Sequence, residues 1–400
     1  MSVNLYYTQR IRGFQQESAK YSGSTVRYLL KRTKFQCNRC GSSKVTVEPL
    51  GRRSIHGEPM GCCHEVIFEF TTHRLYCLRC KTRAVENIPF LSHPWSRMTK
   101  ALERTVLELR RHMSIRAVSN YFHLRWHTVK ELEKKHLKKR FARIQTAHIK
   151  AIGIDEIHVG RGMQNEQFLT IVRDLESGAV INVGDGKGIS ALAGALKKLK
   201  KSKLRVVTMD MANAYYTWIS QNFPKAHIVF DHFHVIKLMN DKLDKVRKRV
   251  TAKLDAAQQK QLKGLRFVFL KNNEDLPEDA RSILRNMRGD FQDLGDAYMF
   301  KEALRTIYAR SKTSYHAKIA FHRWCKLAEE TGISELKTMA RTIRDKLDGI
   351  VSFWTFRHIS NAKMEGFNNK IRWLIKQAYG FRDREYFKLK IFQLPEISSI

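Results

Sequence analysis

Ile152-Gly-Ile-Asp155-Glu-Ile157 lies in an apolar, β-branched run that reads as a buried strand. A lone carboxylate in such a strand is costly, so Asp155 asks for a reason. Val206-Val-Thr-Met-Asp210-Met-Ala-Asn-Ala-Tyr215 ends a second run of the same kind on an acid. A third acid, Glu365, sits far downstream in Ser360-Asn-Ala-Lys-Met-Glu365-Gly-Phe-Asn-Asn369, a polar and helix-permissive segment. Two strand-borne aspartates and one late helical glutamate can meet at a pair of divalent ions about 4 Å apart, which serves phosphoryl transfer. Hard, octahedral ions favour such oxygen ligands.

The chain around these acids has a strand-rich order. Ala151–Val159, Gln167–Asp174 and Ala179–Val183 read as successive strands, with Gly178 punctuating a hairpin. Ile189–Leu199 reads as a helix, Arg205–Asp210 as a fourth strand, Ala212–Asn222 as a helix and Ala226–Phe230 as a fifth strand. The order βββαβαβ predicts a ribonuclease-H-like α/β sheet. In open α/β sheets the site forms at the carboxyl ends of the strands, where Asp210 falls. Beyond the fifth strand, Lys237–Leu262, Glu278–Met287, Tyr298–Ala309, Ala317–Glu330 and Glu335–Leu347 carry helical periodicity, over far too much chain for a loop. Residues 238–352 are therefore expected to form an α-helical insertion. It interrupts a catalytic core of residues 150–237 that resumes with helices over 353–393.

Other polar residues in this region have ordinary readings. Glu156 alternates with Asp155 and is expected to be exposed on the opposite face, while Asp174 and Asp185 sit beside turns and are expected to be solvated. Asp231 either caps the helix that begins near His232 or helps to order the site. His232 and His234 suit packing or phosphate contact better than a hard metal. Glu365 alone reads equally as a surface acid on a helix, although Asn361, Asn368 and Asn369 flank it.

The balance of 74 Lys plus Arg against 38 Asp plus Glu gives a formal charge of +36. A compact fold tolerates that self-repulsion when its partner is a polyanion; nucleic acid is the obvious one, and the charge by itself would also suit an anionic membrane. Apolar content of 43 % argues against a disordered basic tail. The start of the chain carries no signal-peptide core and no later run reaches membrane-spanning length, so a reducing cytoplasmic location and no membrane partner are expected.

Ahead of the core, Cys37-Asn-Arg-Cys40 and Cys77-Leu-Arg-Cys80 share one spacing, which lets each knuckle present two thiolates to a tetrahedral zinc. Gly41 suits the first turn, and Val45–Val47 and Glu65–Phe70 supply ribbon strands. The alternative is four free thiols. Cys62 and Cys63 read as small core residues and His64 as a surface group, with the option that they join the zinc site; Cys325 reads as core. The ribbon is expected over 35–90, after an N-terminal extension of residues 1–34. Over 95–140 an amphipathic helix precedes Ser114–Leu132, in which Ile115, Val118 and Phe122 share a face and a break falls at His123–Arg125. This reads as a helix-turn-helix whose second helix begins near Trp126, with Arg125, Trp126, His127, Lys130 and Lys134 toward DNA. Lys138–His148 is a basic connection and the expected boundary before the core. Late in the chain, Lys370, Arg372, Lys376, Arg382 and Arg384 interleave with Trp373, Tyr379 and Phe381, a face expected to lie along DNA.

The segments Gly-Ile-Asp155-Glu, Met-Asp210-Met-Ala-Asn-Ala-Tyr, Phe230-Asp-His-Phe-His-Val-Ile-Lys237 and Asn361-Ala-Lys-Met-Glu365-Gly-Phe-Asn-Asn-Lys370 resemble the signatures of bacterial insertion-sequence transposases. The ISL-three family, with its zinc ribbon and helix-turn-helix, is the closest group, and the resemblance spans residues 35 to 393. It implies a metal-dependent DDE mechanism with Asp155, Asp210 and Glu365 as ligands to two Mg²⁺ or Mn²⁺ ions, and one structural Zn²⁺. It also implies terminal inverted repeats and target DNA as partners, and a homodimer or larger assembly at synapsis. A DNA-binding regulator without catalysis, or a ribonuclease-H-like nuclease that cuts without joining, are the rival readings.

Overall fold

The computed structural model describes residues 5–160, 167–282, 284, 291–356 and 362–397; Asn361 and the end of the helix expected over 278–287 lie outside them. The chain forms two compact units, Met1–Ala142 and Arg143–Ile400.

The first unit opens with a short helix α1 (Leu5–Gln9) and strands β1 (Phe14–Ser22), β2 (Thr25–Arg32), β3 (Val45–Gly57), β4 (Glu65–Cys77) and β5 (Arg83–Val85). Its sheet runs β1-β2-β4-β3, with β5 also on β4. β1 and β2, from the expected N-terminal extension, thus share one sheet with the strands of the expected ribbon. Val26, Tyr28 and Leu30 alternate inward from β2 and share one core with Ile55, Phe68, Phe70 and Phe90. The β2–β4 pairing is parallel, Thr25 against Glu65, and brings together strands forty residues apart. The long β3–β4 ladder runs from Gly57↔Val66 to Val45↔Cys77, so it delivers Cys77 at its far end.

Helices α2 (Lys100–Leu109), α3 (Ile115–Tyr121) and α4 (Trp126–Arg140) follow. Thr99 and Ser114 cap the first two by accepting from Leu102 N and Ala117 N. Met98, Leu102, Val106, Val118, Phe122 and Val129 form their core. The turn before α4 has no glycine; His123 takes the left-handed conformation instead, with φ of 52°. Arg110, at the end of α2, donates from Nε to Glu133 Oε2 on α4 at 2.7 Å, and both side chains are buried. Removing one member of such a pair leaves an uncompensated charge. Arg110→Ala should therefore cost about 3–5 kcal/mol, read as a lowered unfolding midpoint of the first unit in the whole protein, whereas Arg111→Ala on the surface should change it little.

The second unit is built on β6 (Ala151–His158), β7 (Phe168–Asp174), β8 (Val180–Asp185), β9 (Val206–Met209) and β10 (His227–Phe230), with α5 (Ile189–Leu199) and α6 (Asn213–Asn222) between them. The order is β10-β9-β6-β7-β8, with β6, β7 and β8 antiparallel and β9 and β10 parallel to β6. This is the ribonuclease-H-like arrangement that the element order predicts.

Alternation on β6 divides two cores. Ile152 and Ile154 enter one with α5 and α6 residues, while Ala151 and Ile157 enter another with the last two helices, α14 (Ala362–Gln377) and α15 (Arg384–Ile397). Between them run α7 (His232–Thr251), α8 (Ala256–Leu262), α9 (Arg266–Leu270), α10 (Gln292–Arg310), α11 (Ser314–Glu330), α12 (Ser334–Asp345) and α13 (Leu347–Thr355). These insertion helices do not form a separate body. Val235, Met239 and Leu243 of α7 share one continuous core with Ile152 of the sheet and Trp354 of α13.

Candidate active site and metal centre

Parallel pairing sets the acids in a row. Gly153 lies opposite Thr208, and Met209 opposite Phe230. Carrying that register on puts Asp155 beside Asp210, and Asp210 beside Asp231. Neighbouring strands lie about 4.8 Å apart, close to the span of a two-ion site.

Each acid is held differently. Asp155 is half-buried on β6; its Oδ1 accepts from Glu156 N at 2.8 Å and its Oδ2 from Asn368 Nδ2 at 2.7 Å. Burial raises its pKa and Asp210 adds to the rise, against those hydrogen bonds and the nearby His234. Asp210 Oδ1 accepts from Ala212 N at 3.0 Å, which shapes the entry to α6. Asp231 caps α7 by accepting from Phe233 N at 3.1 Å, and His232 Nδ1 lies 3.4 Å away. Burial pushes Asp231 up, yet the His232 and Phe233 contacts hold it below the usual carboxylate range. Lys346, between α12 and α13, donates to Met211 O; burial lowers its pKa, and the charge of Asp210 opposes that.

Glu365 arrives on α14. That helix docks on β6 through Met364, which lies so near Gly153 that a Cβ there would sit 2.8 Å from Met364 Cγ and 2.9 Å from Leu175 Cδ2. Arg173 Nη1 donates to Lys363 O and Lys363 Nζ to Leu175 O, both at 2.8 Å, and fasten the same turn. At about 100° per residue, Glu365 lies on the flank beyond Asn368, the residue that touches Asp155. Its side chain is exposed. Among the described residues the three carboxylates are not drawn within 4.8 Å of one another, as the four thiols below are. The three carboxylates are thus not gathered into one compact cluster.

Glu156 departs from expectation. It is not exposed: Tyr215 OH donates to its Oε1 at 2.5 Å and Lys187 Nζ lies 3.3 Å from Oε2. Thr170 and the Gly188 amide each lie 3.1 Å from the same Tyr215 oxygen. This network ties the strand of Asp155 to the helix that follows Asp210. Asp174 is likewise buried, accepting from the amides of Glu176 and Ser177 in the β7–β8 turn. Asp185 is partly solvated, but it pairs with Arg384 at 2.7 Å and with Lys388, and so anchors α15 to β8.

In the first unit, Cys37, Cys40, Cys77 and Cys80 bring their sulfurs within 4.8 Å of one another. Cys37–Cys80 and Cys40–Cys77 approach to 3.5 and 3.6 Å. Sulfurs around a tetrahedral ion with bonds near 2.3 Å stand about 3.8 Å apart, so the cluster suits one metal. The knuckles match in backbone too. Gly41 N donates to Cys37 O and Lys81 N to Cys77 O, and both Gly41 and Lys81 have positive φ. Hydrogen bonds from Thr82 pull Cys80 down to about 6, toward the thiolate a metal needs. Cys62 is exposed rather than core, Cys63 is buried, His64 is exposed, and none of them joins the cluster. Cys325 is buried, as expected.

Comparison with known proteins follows the same division. A family profile described as transposase matches residues 152–391, and one described as the helix-turn-helix domain of transposase family ISL3 matches residues 88–136. The chain belongs to the ISL3 family of transposases. It is similar to the transposase for insertion sequence element IS1001 of Bordetella parapertussis, 28 % identical over 378 residues and covering 92 % of this chain and 91 % of that one. It is also similar to the transposase for insertion sequence element IS1557 of Mycobacterium tuberculosis, 26 % identical over 384 residues, with 87 % and 82 % covered. Among solved structures, the Drosophila P element transposase strand transfer complex aligns with a TM-score of 0.40 at 12 % identity, covering 75 % of this chain and 91 % of that one. The protein is thus a DNA transposase, an enzyme of the DDE type that uses divalent metal.

The surface groups of the transposase expected to face DNA divide unevenly. Arg125, Trp126 and His127 are exposed at the start of α4. Lys130, expected outward, is largely covered, with its side chain 14 % exposed and its Nζ 3.4 Å from Glu131; Lys134 is half-buried. In the second unit Lys370, Arg372, Lys376 and Arg382 are all exposed, and Lys376 lies over the exposed ring of Trp373. Tyr379 is fully exposed, whereas Phe381 stacks inward on Phe387. Asn368, read in sequence only as a flank of Glu365, and Tyr215, read only as part of a motif, make contacts that the sequence did not foretell. Their spacing, three residues after Glu365 and five after Asp210, is the only signal that pointed to them.

Gly153 decides how near α14 comes to Asp155. Gly153→Val should cost about 1–3 kcal/mol by overpacking and slow end cleavage about 10²-fold by displacing the helix, with DNA-end binding retained. Adding Met364→Ala should recover part of both losses, measured by thermal unfolding and a nicking assay.

Proposed function

We propose that this transposase binds the terminal inverted repeats of its own insertion sequence, cuts the strands at those ends and joins them to target DNA. Asp155, Asp210 and Glu365 are the proposed catalytic ligands. What supports the reading is the parallel β6–β9 register, which extended by two residues brings Asp155 level with Asp210, together with the contact of Asn368, on the Glu365 helix, with Asp155. The donors are all carboxylate oxygens, the ligand type that two hard Mg²⁺ or Mn²⁺ ions would prefer. When bound, such ions activate the nucleophile and stabilise the leaving oxygen.

The chain's own groups do the rest. Asp155 and Asp210 present oxygens from adjacent strands, each carboxylate fixed by a backbone amide. Lys370, Arg372 and Lys376, exposed on the Glu365 helix, are proposed to run along the phosphates of the end being cut, with Trp373 available for stacking. In the first unit, Arg125, Trp126 and His127 open the recognition helix, and the four thiols hold one Zn²⁺. Two ends must be held at once for joining, so the working form is proposed to be a homodimer or larger. Among the described residues no helix is long and apolar enough to cross a membrane. Double-stranded DNA in the bacterial cytoplasm is the proposed setting.

Asp155→Asn, Asp210→Asn and Glu365→Gln should each reduce end cleavage and strand joining by at least about 10³-fold, with end binding unchanged in a gel-shift assay. Binding that falls in step with cleavage would overturn the assignment, and cleavage without joining in the unaltered protein would favour a nuclease. For the thiol centre, elemental analysis should find one zinc per chain. Cys37→Ser or Cys77→Ser should lose that zinc together with end binding, since folding and metal binding are coupled in such sites.

A further inference from the structure

The buried face of α14 is apolar at Met364, Phe367 and Ile371, and Asn368 stands among them at 5 % exposure. A carboxamide there needs a reason, because an apolar side chain of similar size would pack as well without hydrogen-bonding demands. Its Nδ2 donates to Asp155 Oδ2 at 2.7 Å. Its Oδ1 is buried and has no hydrogen-bond partner. The orientation follows from chemistry: an ionised Asp155 only accepts, so the amide nitrogen must face it and the carbonyl oxygen is left over. What this side chain gains from its polarity is therefore the contact with Asp155. With Glu156 N on the other oxygen, each Asp155 oxygen has one donor and keeps a further acceptor direction for a cation.

We propose that Asn368 is a positioning residue for the metal-dependent step: it clamps the Asp155 carboxylate in the orientation that faces Asp210, and couples that strand to the helix bearing Glu365. A residue that orients a ligating carboxylate in this way typically carries a 10- to 100-fold share of metal affinity. The inference rests on the assignment of Asp155 and Asp210 as metal ligands. It goes beyond that assignment by giving a neutral residue, one turn after Glu365, the task of fixing where the first ligand points.

The test uses the full-length protein with its thiol centre loaded with zinc. Mn²⁺ binding is measured by calorimetry, unfolding in metal-free buffer by thermal melt, and end cleavage as a function of Mg²⁺. Asn368→Leu keeps the volume and suits the apolar face, so it should unfold at the same temperature or higher. It should nonetheless bind Mn²⁺ about 10- to 100-fold more weakly and need correspondingly more Mg²⁺ for half-maximal cleavage. Asn368→Ala should show the same metal shift despite some loss of stability. Asp155→Asn separates the two layers of the argument. If it leaves Mn²⁺ affinity intact, the carboxylate site itself is wrong. If it abolishes Mn²⁺ binding while both Asn368 variants bind normally, the role of Asn368 is overturned, and a lowered melting temperature alone would assign the residue to packing.

Discussion

The parallel pairing of β6 with β9 is the constraint on which the site rests. Backbone hydrogen bonds set that register as far as Gly153 against Thr208, and Asp155 and Asp210 each follow two residues later. Adjacent strands about 4.8 Å apart keep the two acids near enough for the charge of Asp210 to raise the pKa of Asp155. Two further elements meet this frame: Asp231 follows β10 and starts α7, and the Gly153–Met364 approach docks the Glu365 helix on β6.

Placing acids on a buried sheet has a cost, and the protein offsets it locally. Asp155 receives two donors, Asp210 one amide, and Asp231 an amide and an imidazole. Glu156, on the opposite face, is held by Tyr215 and Lys187 rather than left in solvent. These acids are set in a chain carrying +36 overall, a charge that attracts a phosphate backbone.

The insertion and the sheet depend on each other for burial. The α7 helix begins at the row of acids and runs directly into the core shared with α10 to α13. The site is therefore buttressed by helices that read in sequence as a separate domain. In the first unit the same principle applies to β2, whose inward residues complete a core that the β3–β4 ladder cannot close alone.

Local pattern carried much of this in the chain itself. Strand runs ending on acids, matched Cys-x-x-Cys pairs, and the apolar period of 115–132 depend on neighbours within a few residues, so the sheet, the thiol centre and the helix-turn-helix were legible. Boundaries fell within one or two residues for β6 to β10, because each buried apolar run ends abruptly in polar residues. What depended on partners distant in sequence was not legible. The β2–β4 pairing, the burial of Glu156 by a tyrosine 59 residues on, and the contact of Asn368 with Asp155 across 213 residues leave no periodic trace. Residue type and spacing determined which groups were available. Only three-dimensional packing decided which face each one met, because the free energy that selects a partner arises when burial removes the alternative of water.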